Sequence, residues 1–115
     1  MTVISTLDVH DLTAGEYRAV MDELGVEQRP ESGIYLHLTT PTDFGFRIVE
    51  IWDEEGKFDR FVERRLVPAN QAIGLDRTTD IKVTPLHNLF APRLEELPGL
   101  VSSLPGAPSG ERARH

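Results

Sequence analysis

Residues 33–52 read GIYLHLTTPTDFGFRIVEIW, and the division of these residues between two faces decides the fold. Residues 34–39 and 46–52 each alternate apolar with other side chains, and Thr40-Pro41-Thr42-Asp43 between them has turn chemistry. The stretch is therefore a predicted antiparallel hairpin, in which opposed residues project to the same side. One side must be apolar enough to lie under helices. Pairing Leu36 with Val49 and Ile34 with Ile51 supplies it, which sets Tyr35 opposite Glu50, His37 opposite Ile48 and Thr39 opposite Phe46. The aliphatic side is then expected beneath the helices. The side carrying Tyr35, His37, Phe46, Ile48, Glu50 and Trp52 is expected to be open. A few titratable groups among aromatics are what a small-molecule pocket needs; a solvated outer sheet face would show the same residue types.

Composition narrows the classes. A chain of 115 residues forms one domain that buries roughly two thirds of its unfolded surface. No apolar run approaches the ~20 residues of a membrane span, and the N-terminus lacks a signal-type core. The absence of cysteine removes disulfides, thiolate metal sites and cysteine nucleophiles, and fits a cytoplasmic protein. A net charge of −7 argues against nucleic acid, since no basic stripe exists to displace counterions from phosphates.

On either side of the hairpin the pattern is regular. Residues 3–9 (VISTLDV) form a β-branched first strand, with Val3, Ser5, Leu7 and Val9 on one side. Thr13 and Glu16 make a capping box, Leu12 and Tyr17 a hydrophobic staple, and Tyr17, Val20, Met21 and Leu24 a core stripe that ends at Gly25. Tyr17 thus reads first as a staple residue. After Trp52, Asp53 is placed to cap a helix whose core stripe is Phe58, Phe61, Val62 and Leu66, and Pro68 should kink or break it. Residues 81–90 (IKVTPLHNLF) read as a last strand, with Pro85 marking an edge or a bulge. The order strand, helix, strand, strand, helix, strand is the split pattern of an α+β, ferredoxin-like βαββαβ fold with a four-stranded antiparallel sheet. Residues 1–92 hold that domain. Residues 93–115, rich in Pro and Gly, read as a tail whose Leu94, Leu97, Leu100, Val101 and Leu104 can pin it to a surface. An open sheet face bearing Phe46, Ile48 and Trp52 would drive aggregation unless two sheets pair, so a homodimer is expected.

The runs G-I-Y-L-H-L, D-F-G-F-R-I-V-E-I-W-D-E, F-D-R-F-V-E-R-R-L-V-P-A and V-T-P-L-H-N-L-F-A-P resemble the dimeric α/β-barrel superfamily, and within it the antibiotic biosynthesis monooxygenase-like proteins. The resemblance spans residues 3–92. It implies a dimeric barrel with a hydrophobic cavity between sheet and helices, binding a small organic molecule. In quinone-forming members a Trp, a Tyr and an Asn lie near the cavity and the substrate itself supplies electrons to oxygen, so no cofactor is expected. Trp52 matches as a cavity wall; Tyr35 and Asn88 match by residue type. Haem-degrading members need an Asn, Trp and His set, and no spacing here fixes an axial histidine at His37 or His87.

His37 and Glu50 are the expected catalytic pair, neighbours on one face where a carboxylate can orient an imidazole acting as general base. Tyr35, Phe46, Ile48, Trp52 and Asn88 are the expected substrate-binding residues. A metal site from His10, His37, His87 and Glu50 lacks any close-spaced ligand pair, so none is expected. No phosphate loop, nucleophile elbow or dinucleotide fingerprint is present. The chemistry implied is that of an enzyme on a hydrophobic, aromatic or polyketide-like molecule. It would be a cofactor-independent monooxygenase or a non-redox cyclase or isomerase, with a non-catalytic ligand-binding barrel as the remaining class.

Overall fold

The computed structural model describes residues 1–108. Four strands form one antiparallel sheet: β1 (Val3–His10), β2 (Ile34–Pro41), β3 (Gly45–Trp52) and β4 (Thr79–Pro85), in the order β2-β3-β1-β4. Helix α1 (Ala14–Leu24) connects β1 to β2. Between β3 and β4 the chain runs through α2 (Glu55–Phe61), a π-helical segment (Val62–Leu66) and α3 (Val67–Ala72). The architecture is the ferredoxin-like α+β fold that the element order predicts.

Local chemistry sets most element ends. Thr13 Oγ1 accepts from the Glu16 N–H at 3.1 Å and Glu16 Oε1 accepts from the Thr13 N–H at 3.1 Å, closing the expected capping box. Gly25 ends α1 in the left-handed region at φ 66°. Gly45 opens β3 at φ 149°, and a Cβ there would lie 2.2 Å from the Val9 carbonyl oxygen, so the tip of the hairpin requires glycine. The cap of α2 falls on Glu54, without a side-chain bond, rather than on Asp53. Asp53 is occupied instead by Lys57, at 2.9 Å. Pro68 does not break the helix. The π turn ahead of it widens the backbone where an α-helix would need the missing N–H. The last strand is shorter than residues 81–90: it stops at Pro85 on an edge of the sheet, where proline costs no ladder bond.

The two faces of the sheet are the reverse of the sequence expectation. β1 pairs with β3 so that Val3 faces Trp52, Ser5 faces Glu50, Leu7 faces Ile48 and Val9 faces Phe46. Val3, Leu7, Val9 and Trp52 belong to the core with Tyr17, Val20, Met21, Leu24, Phe58 and Phe61. The side bearing Glu50 and Trp52 therefore lies under the helices, and the aliphatic side, with Leu38 exposed, Ile4, Leu36 and Val49 half-buried and Ile51 buried, faces away from them. The hairpin register differs too. A bulge at Tyr35 shifts the pairing to Ile34–Trp52, Leu36–Ile51 and His37–Glu50. Aromatic area explains the choice: Trp52 is 1% exposed, with ring centroids 5.9 Å from Phe58 and 5.5 Å from Phe61. Burying an indole stabilises more than burying a valine, provided that the carboxylate carried with it finds donors.

The expected tail begins with a 3₁₀ turn (Leu94–Glu96) and α4 (Leu97–Ser103), and Ala107 is buried. Its last residues, 109–115, lie outside the described residues.

Candidate active site

The carboxylate that the reversed sheet carries inward is fully partnered. Glu50 is 6% exposed. Its Oε1 accepts from the Trp52 indole N–H at 3.1 Å, and its Oε2 lies 2.7 Å from His37 Nδ1. His37 Nε2 lies 2.7 Å from the Tyr17 hydroxyl. One arrangement of protons satisfies all four groups. Nδ1–H donates to Glu50, and the Nε2 lone pair accepts from the Tyr17 O–H. Burial pushes the Tyr17 phenol above its ordinary range, so the hydroxyl holds its proton at neutral pH. The ring is set by stacking on Phe46, with centroids 6.0 Å apart and planes 7° apart.

Different elements supply the parts. Tyr17 comes from the first turn of α1, His37 from β2, and Glu50 and Trp52 from β3. This line borders a cavity of about 510 Å³ between sheet and helices. The remaining wall is mostly apolar, including Leu7, Val20, Leu24, Ile48 and Phe61. A cavity of that size with few convergent polar groups has the dimensions of a small-ligand site.

The expected site residues fare differently. His37, Ile48, Glu50 and Trp52 border the cavity together, and His37 lies directly opposite Glu50 rather than diagonal to it. Tyr35 touches the cavity only as a bulged, 63% exposed residue, because the bulge turns it out of the β2 alternation. Phe46 supports Tyr17 from behind. Asn88 is exposed in the stretch after β4 and does not border the cavity, because the strand that would carry it there has ended. Tyr17 and Asn70 are among the residues that the sequence reading left out of the site and that do border the cavity. The Tyr17 phenol is the group that meets His37 Nε2. Asn70 of α3 borders the cavity, and its Oδ1 is buried without a protein partner. The staple itself was the available sign for Tyr17, since it aims the ring at the sheet. Among the described residues no three potential metal ligands converge. His10 pairs with Asp80 at 2.8 Å, and His87 is exposed.

Fold and site together define a ferredoxin-like protein with a cavity between its sheet and its helices. No family profile and no curated protein matches the sequence. Solved structures do. SnoaB from Streptomyces nogalater, a cofactor-independent oxygenase, is 14% identical with a TM-score of 0.53, over 76% of this chain and 93% of that one. A Deinococcus radiodurans protein named as a candidate antibiotic biosynthesis monooxygenase is 20% identical with a TM-score of 0.57, over 79% and 97%. A conserved protein from Methanosarcina mazei is 17% identical with a TM-score of 0.52, over 76% and 95%. The fold is thus that of the antibiotic biosynthesis monooxygenase-like proteins, as the sequence resemblance implied, and this chain carries residues beyond the shared unit.

Proposed function

We propose that the protein is an enzyme that takes a proton from a hydrophobic, aromatic or polyketide-like molecule held between sheet and helices, and that it acts as a cofactor-independent monooxygenase. The observation that carries this reading is the Tyr17–His37–Glu50 line ending at the cavity, with 2.7 Å at each step. A substrate hydroxyl or activated methylene loses its proton to Tyr17 as the phenol proton passes to His37 Nε2. The imidazolium formed is paired with the Glu50 carboxylate. Trp52 fixes the other carboxylate oxygen, so the acceptor is held in place. The electron-rich anion then reacts with O₂. One oxygen atom converts the methylene to a carbonyl, the other leaves as water, and the substrate supplies all four electrons. The likeness of fold to SnoaB supports oxygen as the second reactant. Proton transfer alone also serves a cyclase or isomerase, because the relay itself moves no electrons.

The reading extends to a homodimer joined through the face of the sheet away from the helices, where exposed Leu38 lies beside the half-buried Ile4, Leu36 and Val49. This replaces the sequence argument from Phe46, Ile48 and Trp52, which lie on the other face.

The test is oxygen uptake by the protein with a hydroxyanthracenone, alongside exchange of its methylene protons in deuterated water. Uptake with one oxygen atom in the product supports the monooxygenase. Exchange without uptake supports the non-redox reading, and neither response defeats both.

A further inference from the structure

We infer that residues 97–108 are a strap that walls the cavity and sets the size of the ligand it accepts; this rests on the cavity being the ligand site. Val101, from α4, and Pro108 both border the cavity, although they lie beyond the βαββαβ unit that builds the rest of it. The strap is held at the reacting end. Arg18 Nη1 donates to the Gly106 carbonyl at 2.8 Å, while the same guanidinium engages Glu27 and donates to Asp22 at 3.1 Å. Gly106 stands beside the Tyr17 ring: a Cβ there would lie 3.9 Å from it. Ala107, next in sequence, is buried. The residue after the relay phenol is thus the one that ties the strap down. Meanwhile Leu100 and Val101 of α4, and Leu104 just after it, are half-exposed, so the segment is attached at its end and only lightly packed there. Such a segment yields locally before the sheet and helices do. A bulky ligand enters by displacing it and is enclosed when Arg18 regains the Gly106 carbonyl.

The ligand class that follows is a planar hydrophobic molecule whose hydroxyl meets Tyr17 and whose ring edge meets Val101. Ring count should then be read at Val101. The probes are 1-naphthol and 1-hydroxyanthracene, with two and three fused rings. Trp52 borders the cavity and is the single tryptophan of the chain, so energy transfer from it reports occupancy. Val101→Phe thickens the wall at that position and should weaken 1-hydroxyanthracene about tenfold, the effect of withdrawing one ring from an apolar wall, while leaving 1-naphthol within about twofold. Val101 is half-exposed and outside the core, so the variant is expected to fold. Arg18→Met removes a charged hydrogen bond from the strap and should speed dissociation of both probes by about tenfold in stopped flow. Unchanged affinities in Val101→Phe overturn the wall, and unchanged dissociation in Arg18→Met overturns the fastening. A wild-type protein that binds both probes but consumes no oxygen with a hydroxyanthracenone defeats the monooxygenase reading and leaves the strap standing. Wild-type turnover in a Val101→Phe variant with no change in ligand preference does the reverse.

Discussion

Replacing Glu50 by Gln keeps the shape of the buried side chain and removes its charge, and the hydrogen-bond directions give the consequence. Glu50 receives two N–H donors, from Trp52 at 3.1 Å and from His37 at 2.7 Å. The amide oxygen of Gln can still serve the indole. Its NH₂ then faces His37 Nδ1, where donor meets donor unless the imidazole changes tautomer. After that change Nε2 carries the proton and donates to Tyr17, so the relay runs backwards and no longer accepts. Exchanging a charge-assisted bond of about 1.5–3 kcal/mol for a neutral one of about 0.5–1.5 costs about 1–2 kcal/mol. For a domain of this size that lowers Tm by about 5–10 °C. Turnover should fall further, by ~10²–10⁴, since a general base is lost while the cavity is kept. The assays are thermal unfolding, oxygen uptake with a hydroxyanthracenone, and the Trp52 indole N–H resonance, which should stay shifted in Glu50→Gln and move in Glu50→Ala. Wild-type turnover in Glu50→Gln with a lowered Tm would reduce the line to a structural device and refute its catalytic reading.

The faces of the sheet can be tested by adjacent residues: Leu7→Ala, on the helix side and 3% exposed, should cost about 2–5 kcal/mol in urea unfolding, whereas Thr6→Ala should cost under about 1. Equal losses would mean that the faces are assigned wrongly. Because burial raises the Tyr17 phenol's pKa, the native state holds that proton longer than the unfolded chain does, so stability should be level below about pH 10 and fall above it. Tyr17→Phe should remove that part of the alkaline fall, as read from urea midpoints across the range, and an identical fall in the variant would count against a buried phenol. Leu38→Asp places a charge on the open aliphatic face and should convert a dimer to monomer in sedimentation at micromolar concentration; a wild-type monomer would sink the barrel.

The sequence by itself determined what depends on neighbours in the chain. The capping box of Thr13 and Glu16, the Gly25 stop and the core stripe of α1 follow from side chains reaching their own backbone, and all stand in the structure. The element order, and with it the ferredoxin-like fold, follows from the alternation of two-residue and three-to-four-residue periods. The same-side grouping of His37 with Glu50 and Trp52 was legible from strand parity, which a bulge at Tyr35 leaves intact beyond itself. Which side faces the helices was not. Parity sorts residues into two sets without saying which set is covered, and a carboxylate in one set argues against burial unless its partners are known. Those partners are an imidazole from the next strand, an indole two residues along and, through the imidazole, a phenol from a helix 20 residues away in sequence. Only tertiary packing brings them together, and only their hydrogen bonds make burial of Glu50 affordable. Asn70 and the strap entered the cavity wall, and Asn88 left it, for the same reason. Membership of a cavity is a property of how elements close in space, and no local period encodes it.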